Sequence, residues 1–164
     1  MSFARTNRKV HKWGSIIVAL PLLIVVISGI LLLVRKEFSY LQPATQRGIK
    51  TEPNISFTEI LKQAKSVSQA QINSWQDIDR LDIRPSKGVI KIRANNQWEI
   101  QLDSYNGNIL QVAYRRSDFI ETLHDGSFFH KNANIWLMLP SALVLLTLLI
   151  TGVYLFLLPY LRRR

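Results

Sequence analysis

GSIIVALPLLIVVISGILLLV, residues 14–34, decides the fold. Its core, Ile16 to Val34, is nineteen residues without a charge. At about 1.5 Å per residue, a helix over 14–34 covers about 30 Å, the thickness of a hydrocarbon layer. A second run, Ile135 to Leu158, has twenty-four uncharged residues and is long enough to cross with some tilt. Pro21 and Pro140 fall inside these runs. Each predicts a bend, which a bilayer helix tolerates where neighbouring groups re-satisfy the freed carbonyl. Trp13, Trp136, Tyr154 and Tyr160 stand near the run ends, where amphipathic rings favour the headgroup layer. The first run is longer than a signal-peptide h-region, and no small-x-small site precedes Arg35, so it reads as an uncleaved anchor.

The 164 residues contain 21 Lys+Arg, 11 Asp+Glu, three His and no Cys. Without cysteine, disulfides, thiolate zinc sites, iron–sulfur clusters and thiol nucleophiles are excluded. The net charge of +10 is laid out as a topology signal. Residues 1–13 hold Arg5, Arg8, Lys9 and Lys12 with no acid, and the chain ends in Arg162, Arg163 and Arg164. All eleven acids lie between the runs, with fourteen basic residues. Both ends are therefore predicted cytoplasmic and residues 35–134 extracytoplasmic, although Arg35 and Lys36 oppose this. No basic face in the loop is interleaved with aromatics, so lipid phosphate, not nucleic acid, is the expected counterpart of the basic tails.

Residues 35–52, with Pro43 and Gly48, read as a linker. Ser56-Phe57-Thr58-Glu59 is a capping-box pattern, and Phe57, Ile60, Leu61, Ala64 and Val67 recur at helical spacing after it. From Leu81 the period changes to two: Leu81/Ile83, Ile90/Ile92/Ala94, Trp98/Ile100/Leu102 and Leu110/Val112/Tyr114 alternate with polar residues. The breaks at 85–88, 95–96 and 103–107 are turn chemistry, and connections this short imply antiparallel pairing. The expected fold class is membrane α+β: two transmembrane helices flanking one helix on a four-stranded antiparallel sheet. The expected segments are a basic tail 1–13, span 14–34, linker 35–52, domain 53–116, amphipathic connector 117–134, span 135–158 and basic tail 159–164. The domain's charges stand singly on alternating positions and are predicted to be solvated. It holds no histidine and no Ser-His or paired-carboxylate arrangement, so enzymatic activity by this chain alone is not expected.

The two runs echo one another. His11-Lys12, Leu20-Pro21 and Ser28-Gly29 recur as His130-Lys131, Leu139-Pro140 and Thr151-Gly152. Ser28, Gly29, Thr151 and Gly152 are candidate helix-packing residues, since small residues permit close approach in lipid. Several motifs in order resemble the PepSY-associated transmembrane proteins: Lys9-Val10-His11-Lys12-Trp13-Gly14, Ser28-Gly29, Arg35-Lys36-Glu37, Leu123-His124-Asp125-Gly126 and Thr151-Gly152. Asp103 through Gly107-Asn108-Ile109-Leu110 resembles the last hairpin of a PepSY module.

The resemblance implies a bacterial inner-membrane protein with a PepSY-like domain between its spans. It also implies a binding or inhibitory role in the cell envelope, as an accessory subunit of a larger assembly concerned with iron or redox. Longer members with four or more spans are implicated in reducing iron with b-type haem. That makes His11, His124 and His130 haem-ligand candidates here. This chain departs from those members, with two spans, no histidine inside either run and no flavin- or nicotinamide-binding domain. His11 and His124 stand about a membrane thickness apart. His124 and His130 would point about 240° apart on a continuous helix, so no pair within one chain converges on one iron. A b-type haem is expected only with a partner chain, as a homodimer or with another membrane subunit.

Overall fold

The computed structural model describes residues 3–161; Arg162–Arg164 of the basic tail lie outside the described residues. The chain forms two compact units, one of Met1–Leu33 with Phe119–Arg164 and one of Val34–Asp118.

In the first unit, helix α1 (Phe3–Val34) continues through the basic lead-in without a break and carries Pro21 inside it. Helix α4 (Leu139–Leu161) closes the chain and begins from a π-turn, Asn134–Met138. There the Leu139 N–H reaches the Asn134 carbonyl, five residues back. The widened turn just before Pro140 has a steric reason. The proline ring would press on the carbonyl four residues earlier, and a widened turn relieves that contact. In the most apolar windows of the two helical stretches only 11% and 6% of residues are buried. A core helix of a water-soluble protein would be mostly covered, so surfaces this apolar and this bare require lipid.

The two helices run antiparallel. Phe3 meets Tyr154 edge to face at 5.2 Å, Asn7 Nδ2 donates to the Thr151 carbonyl at 3.3 Å, and Gly14 faces Leu148 and Val144. The start of α1 and the end of α4 therefore lie at the same end of the pair. Helix α3 (Arg116–Asp125) leads the chain back into this unit and stops at Gly126, whose φ of +81° few other residues adopt. Phe119, Phe128 and Phe129 then stack edge to face, 5.6 and 5.3 Å between centroids.

In the second unit the expected helix and four strands are present: α2 (Phe57–Lys65), β1 (Ile78–Arg84), β2 (Val89–Ala94), β3 (Trp98–Asp103) and β4 (Ile109–Tyr114). The sheet is an antiparallel meander in the order β1-β2-β3-β4. Ile60, Ala64 and Val67 bury against Ile90, Ile92, Ile100 and Leu102. Phe57, counted on the stripe from its spacing, is instead 62% exposed and meets Trp75 edge to face. Ser56 Oγ accepts from Glu59 N at 3.2 Å, while the Glu59 carboxylate accepts from Gln63. The reciprocal capping box forms downstream, between Ser74 and Asp77.

The other face of the sheet corrects the sequence reading. Lys91, Glu99, Gln101 and Asp103 are buried, not solvated. The reason lies in residues 35–52, which behave as a strap across that face and not as a free linker. Gln46 N–H donates to Gln101 Oε1 (2.8 Å), Gln101 Nε2 to the Ala44 carbonyl (2.9 Å), Gly48 N–H to the Lys87 carbonyl (2.9 Å) and Ile49 N–H to Asp103 Oδ2 (2.7 Å). A Cβ on Gly48 would collide with the Gly88 carbonyl, so only glycine lets the strap lie this close.

Beneath the strap, Glu99 collects Lys91 Nζ (2.9 Å) and Gln101 Nε2 (2.7 Å) on Oε1 and Arg115 Nη1 (2.7 Å) on Oε2. Arg115 Nε also reaches Asp118 at 3.0 Å. Burial pushes the Lys91 ammonium below the usual lysine range, against the pull of Glu99.

Two measurements check this face. Replacing Glu99 with Gln strands buried cations and is expected to cost about 3–5 kcal/mol of domain stability, whereas Lys91→Met leaves Glu99 paired and costs much less. Denaturant titration of the detergent-solubilised chain by circular dichroism ranks the two. Burial tends to raise the Asp103 carboxyl, but the N–H groups of Ile49, Tyr105 and Asn106 outweigh it, and the net shift is downward. A folded pKa below the unfolded one gives stability that is present above the ordinary aspartate range and lost as pH falls through the folded value. Asp103→Asn is therefore expected to flatten the acid limb of the stability profile below about pH 4.

Candidate functional site: histidines seated on serine- and threonine-glycine pairs

Two histidines of the membrane unit occupy matching seats. His124, near the end of α3, sits on α1. Its Nδ1 lies 3.1 Å from Ser28 Oγ and 3.1 Å from the Val25 carbonyl, and its Cε1 rests where a Cβ on Gly29 would be, 3.2 Å away. His11, on α1, sits on α4. Its Nδ1 lies 2.8 Å from Thr151 Oγ1, and its Cε1 is 3.3 Å from a Cβ built on Gly152. Each imidazole thus lies on a hydroxyl-glycine pair of another helix.

Local helix chemistry fixes which way each hydrogen points. Ser28 Oγ donates back to the Ile24 carbonyl at 2.6 Å, and Thr151 Oγ1 to the Thr147 carbonyl at 2.8 Å. A hydroxyl carries one hydrogen, so each oxygen is left to accept. The Val25 carbonyl is an acceptor only. In the neutral ring, Nδ1 of both histidines therefore carries the hydrogen and Nε2 carries the lone pair. Among the described residues Nε2 of neither ring has a hydrogen-bond partner. Donation from one ring nitrogen to a protein oxygen is also the arrangement that fixes tautomer and orientation in metal-ligating histidines.

The candidate residues named from the sequence divide accordingly. Ser28, Gly29, Thr151 and Gly152 stand together with His11 and His124, but the glycines make room for imidazole rings, not for a facing backbone. Gly14 faces aliphatic side chains of the partner helix, with Leu148 Cδ2 3.1 Å from the position of a Cβ. His130, matched to His11 in the sequence echo, is exposed, and its Nδ1 accepts from Asn132 N–H at 3.1 Å. No continuous helix joins His124 to His130, because Gly126 ends α3. The angular argument from six-residue spacing therefore does not apply.

Ser28 stands seventeen positions after His11 on α1, about 26 Å of helix rise, so the two seats lie at different depths and serve no common iron. Among the described residues no group of three His, Cys, Asp or Glu is placed to hold a metal ion. Among the described residues each level therefore offers a single imidazole.

Loss of a seat is expected to weaken the helix pair unequally. Thr151→Val removes the one protein acceptor of His11 Nδ1 and should cost about 1–2 kcal/mol. Ser28→Ala leaves His124 the Val25 carbonyl and should cost under about 1 kcal/mol. Denaturant unfolding in mixed micelles reads the difference.

No curated protein and no solved structure is detectably similar to the chain. The model of the family described as PepSY-associated TM region matches residues 8–164. That match takes in all but the first turn of α1, the sheet-and-helix unit, both histidine seats and α4, and the chain belongs to that family.

Proposed function

We propose that the chain is an accessory subunit of a bacterial inner-membrane assembly, holding its PepSY module outside the cytoplasm with both chain ends inside. The observation that carries this reading is that the module's buried carboxylates are satisfied by groups of the module itself. Glu99 is saturated by Lys91, Arg115 and Gln101, and Asp103 by the backbone of the strap and the following turn. These groups do structural work, which suits a presented module better than an enzyme. The antiparallel helix pair brings the start of α1 and the end of α4 to one side, and the acid-free basic segment 1–13 favours the cytoplasm for that side. The native chain has no cysteine, so single introduced thiols report cleanly. Lys87→Cys is expected to react with an impermeant maleimide in intact cells, and Thr6→Cys only after permeabilisation. Mild-detergent purification should recover a stoichiometric membrane partner, and recovery of a lone monomer would count against the accessory role.

The free Nε2 of His11 and His124 favours a second reading, a transmembrane electron carrier. In it each imidazole would hold a b-type haem together with a residue of another chain. One-electron chemistry is what that group would bring, and this chain's residues would orient the ligand and exclude water. An absorption spectrum of the mildly purified assembly separates the readings. A Soret band that falls by about half in each of His11→Ala and His124→Ala supports the carrier, and a featureless spectrum removes it.

A further inference from the structure

Between α1 and α4 lies a partly open cavity of about 190 Å³, lined chiefly by Pro21, Val25, His124, Met138 and Ser141. Val18 and Val25 bound it on α1, which puts it near the middle of the uncharged run 16–34. Whatever enters must be soluble in lipid.

The chemistry of the lining is one-sided. His124 lines the cavity with Nδ1 and Cε1 engaged on α1, so Nε2, with its lone pair, is the ring nitrogen left to meet an occupant. Ser141 Oγ gives its hydrogen to the Leu137 carbonyl at 2.7 Å and is left to accept. The site offers two acceptors in an apolar surround, and an acceptor facing hydrocarbon favours an occupant that brings its own hydrogen. An apolar cavity of about 150 Å³ takes a benzene ring, so this one takes a single ring with small substituents, leaving the tail to exit into lipid. Met138 supplies a thioether, a favourable neighbour for an aromatic edge.

We infer that this cavity binds the hydroxylated single-ring head of a lipid-soluble molecule, of the hydroquinone class, by accepting its O–H at His124 Nε2. The inference does not rest on the accessory-subunit reading. It rivals a haem at His124, since iron and a hydroxyl cannot share one nitrogen.

Equilibrium dialysis of the full chain in phosphatidylcholine nanodiscs tests it, with decylhydroquinone and its dimethyl ether as probes and empty discs as reference. Expected is saturable binding, one hydroquinone per chain, at least about tenfold tighter than the ether. His124→Asn keeps a donor near the Nδ1 position while deleting Nε2, and should bring the two probes to parity. Ser141→Phe fills the space and should abolish binding of both. Circular dichroism follows folding, and should Ser141→Phe misfold, His124→Asn decides. Equal affinity of the two probes, a preference that survives His124→Asn, binding that survives a folded Ser141→Phe, or no saturable binding at all would each overturn the inference.

Discussion

A polar group surrounded by hydrocarbon has no water to fall back on, and that constraint shapes the membrane unit. Each hydroxyl in the seats is spent on its own helix before it meets a neighbour, as Ser28 on Ile24 and Thr151 on Thr147. What remains is an acceptor, and an imidazole N–H fills it. The π-turn ahead of Pro140 answers the same demand by a different route, shifting a donor one residue along instead of leaving a strained turn in lipid.

The module meets the demand in its polar form. Two faces of β2 and β3 are covered, one by α2 and one by the strap, so their alternate polar residues have to find partners inside the protein. Glu99 is the centre of that arrangement. Two cations and an amide hold it, which makes a buried carboxylate tolerable and ties β2, β3 and the residue after β4 into one body. A small domain gains rigidity from such a network in place of core volume, since few apolar side chains are available to a sheet of four short strands.

The spans, the four strands, their turns and the meander order were legible because they rest on periodicity and turn chemistry, which are local. The uncharged runs 16–34 and 135–158 set the membrane class, and the alternation from Leu81 to Tyr114 set the sheet. The burial of Lys91, Glu99 and Gln101 was not legible. Polar alternation looks the same whether water or a strap covers the face, and Gln42 to Lys50 carry no pattern that names the surface they will cover. Phe57 misled for the converse reason, since an apolar residue at the first turn of a helix need not reach the core.

At the seats the boundary is equally physical. Composition and spacing put Ser28-Gly29 and Thr151-Gly152 in the spans and histidines near their ends, and motif order gave the family. Which histidine sits on which pair depends on where α3 stops, on the antiparallel approach of α1 and α4, and on a glycine's missing Cβ admitting a ring edge. Those are distances between residues 96 and 140 positions apart, and a hydrogen bond of that range exists only once the chain has folded.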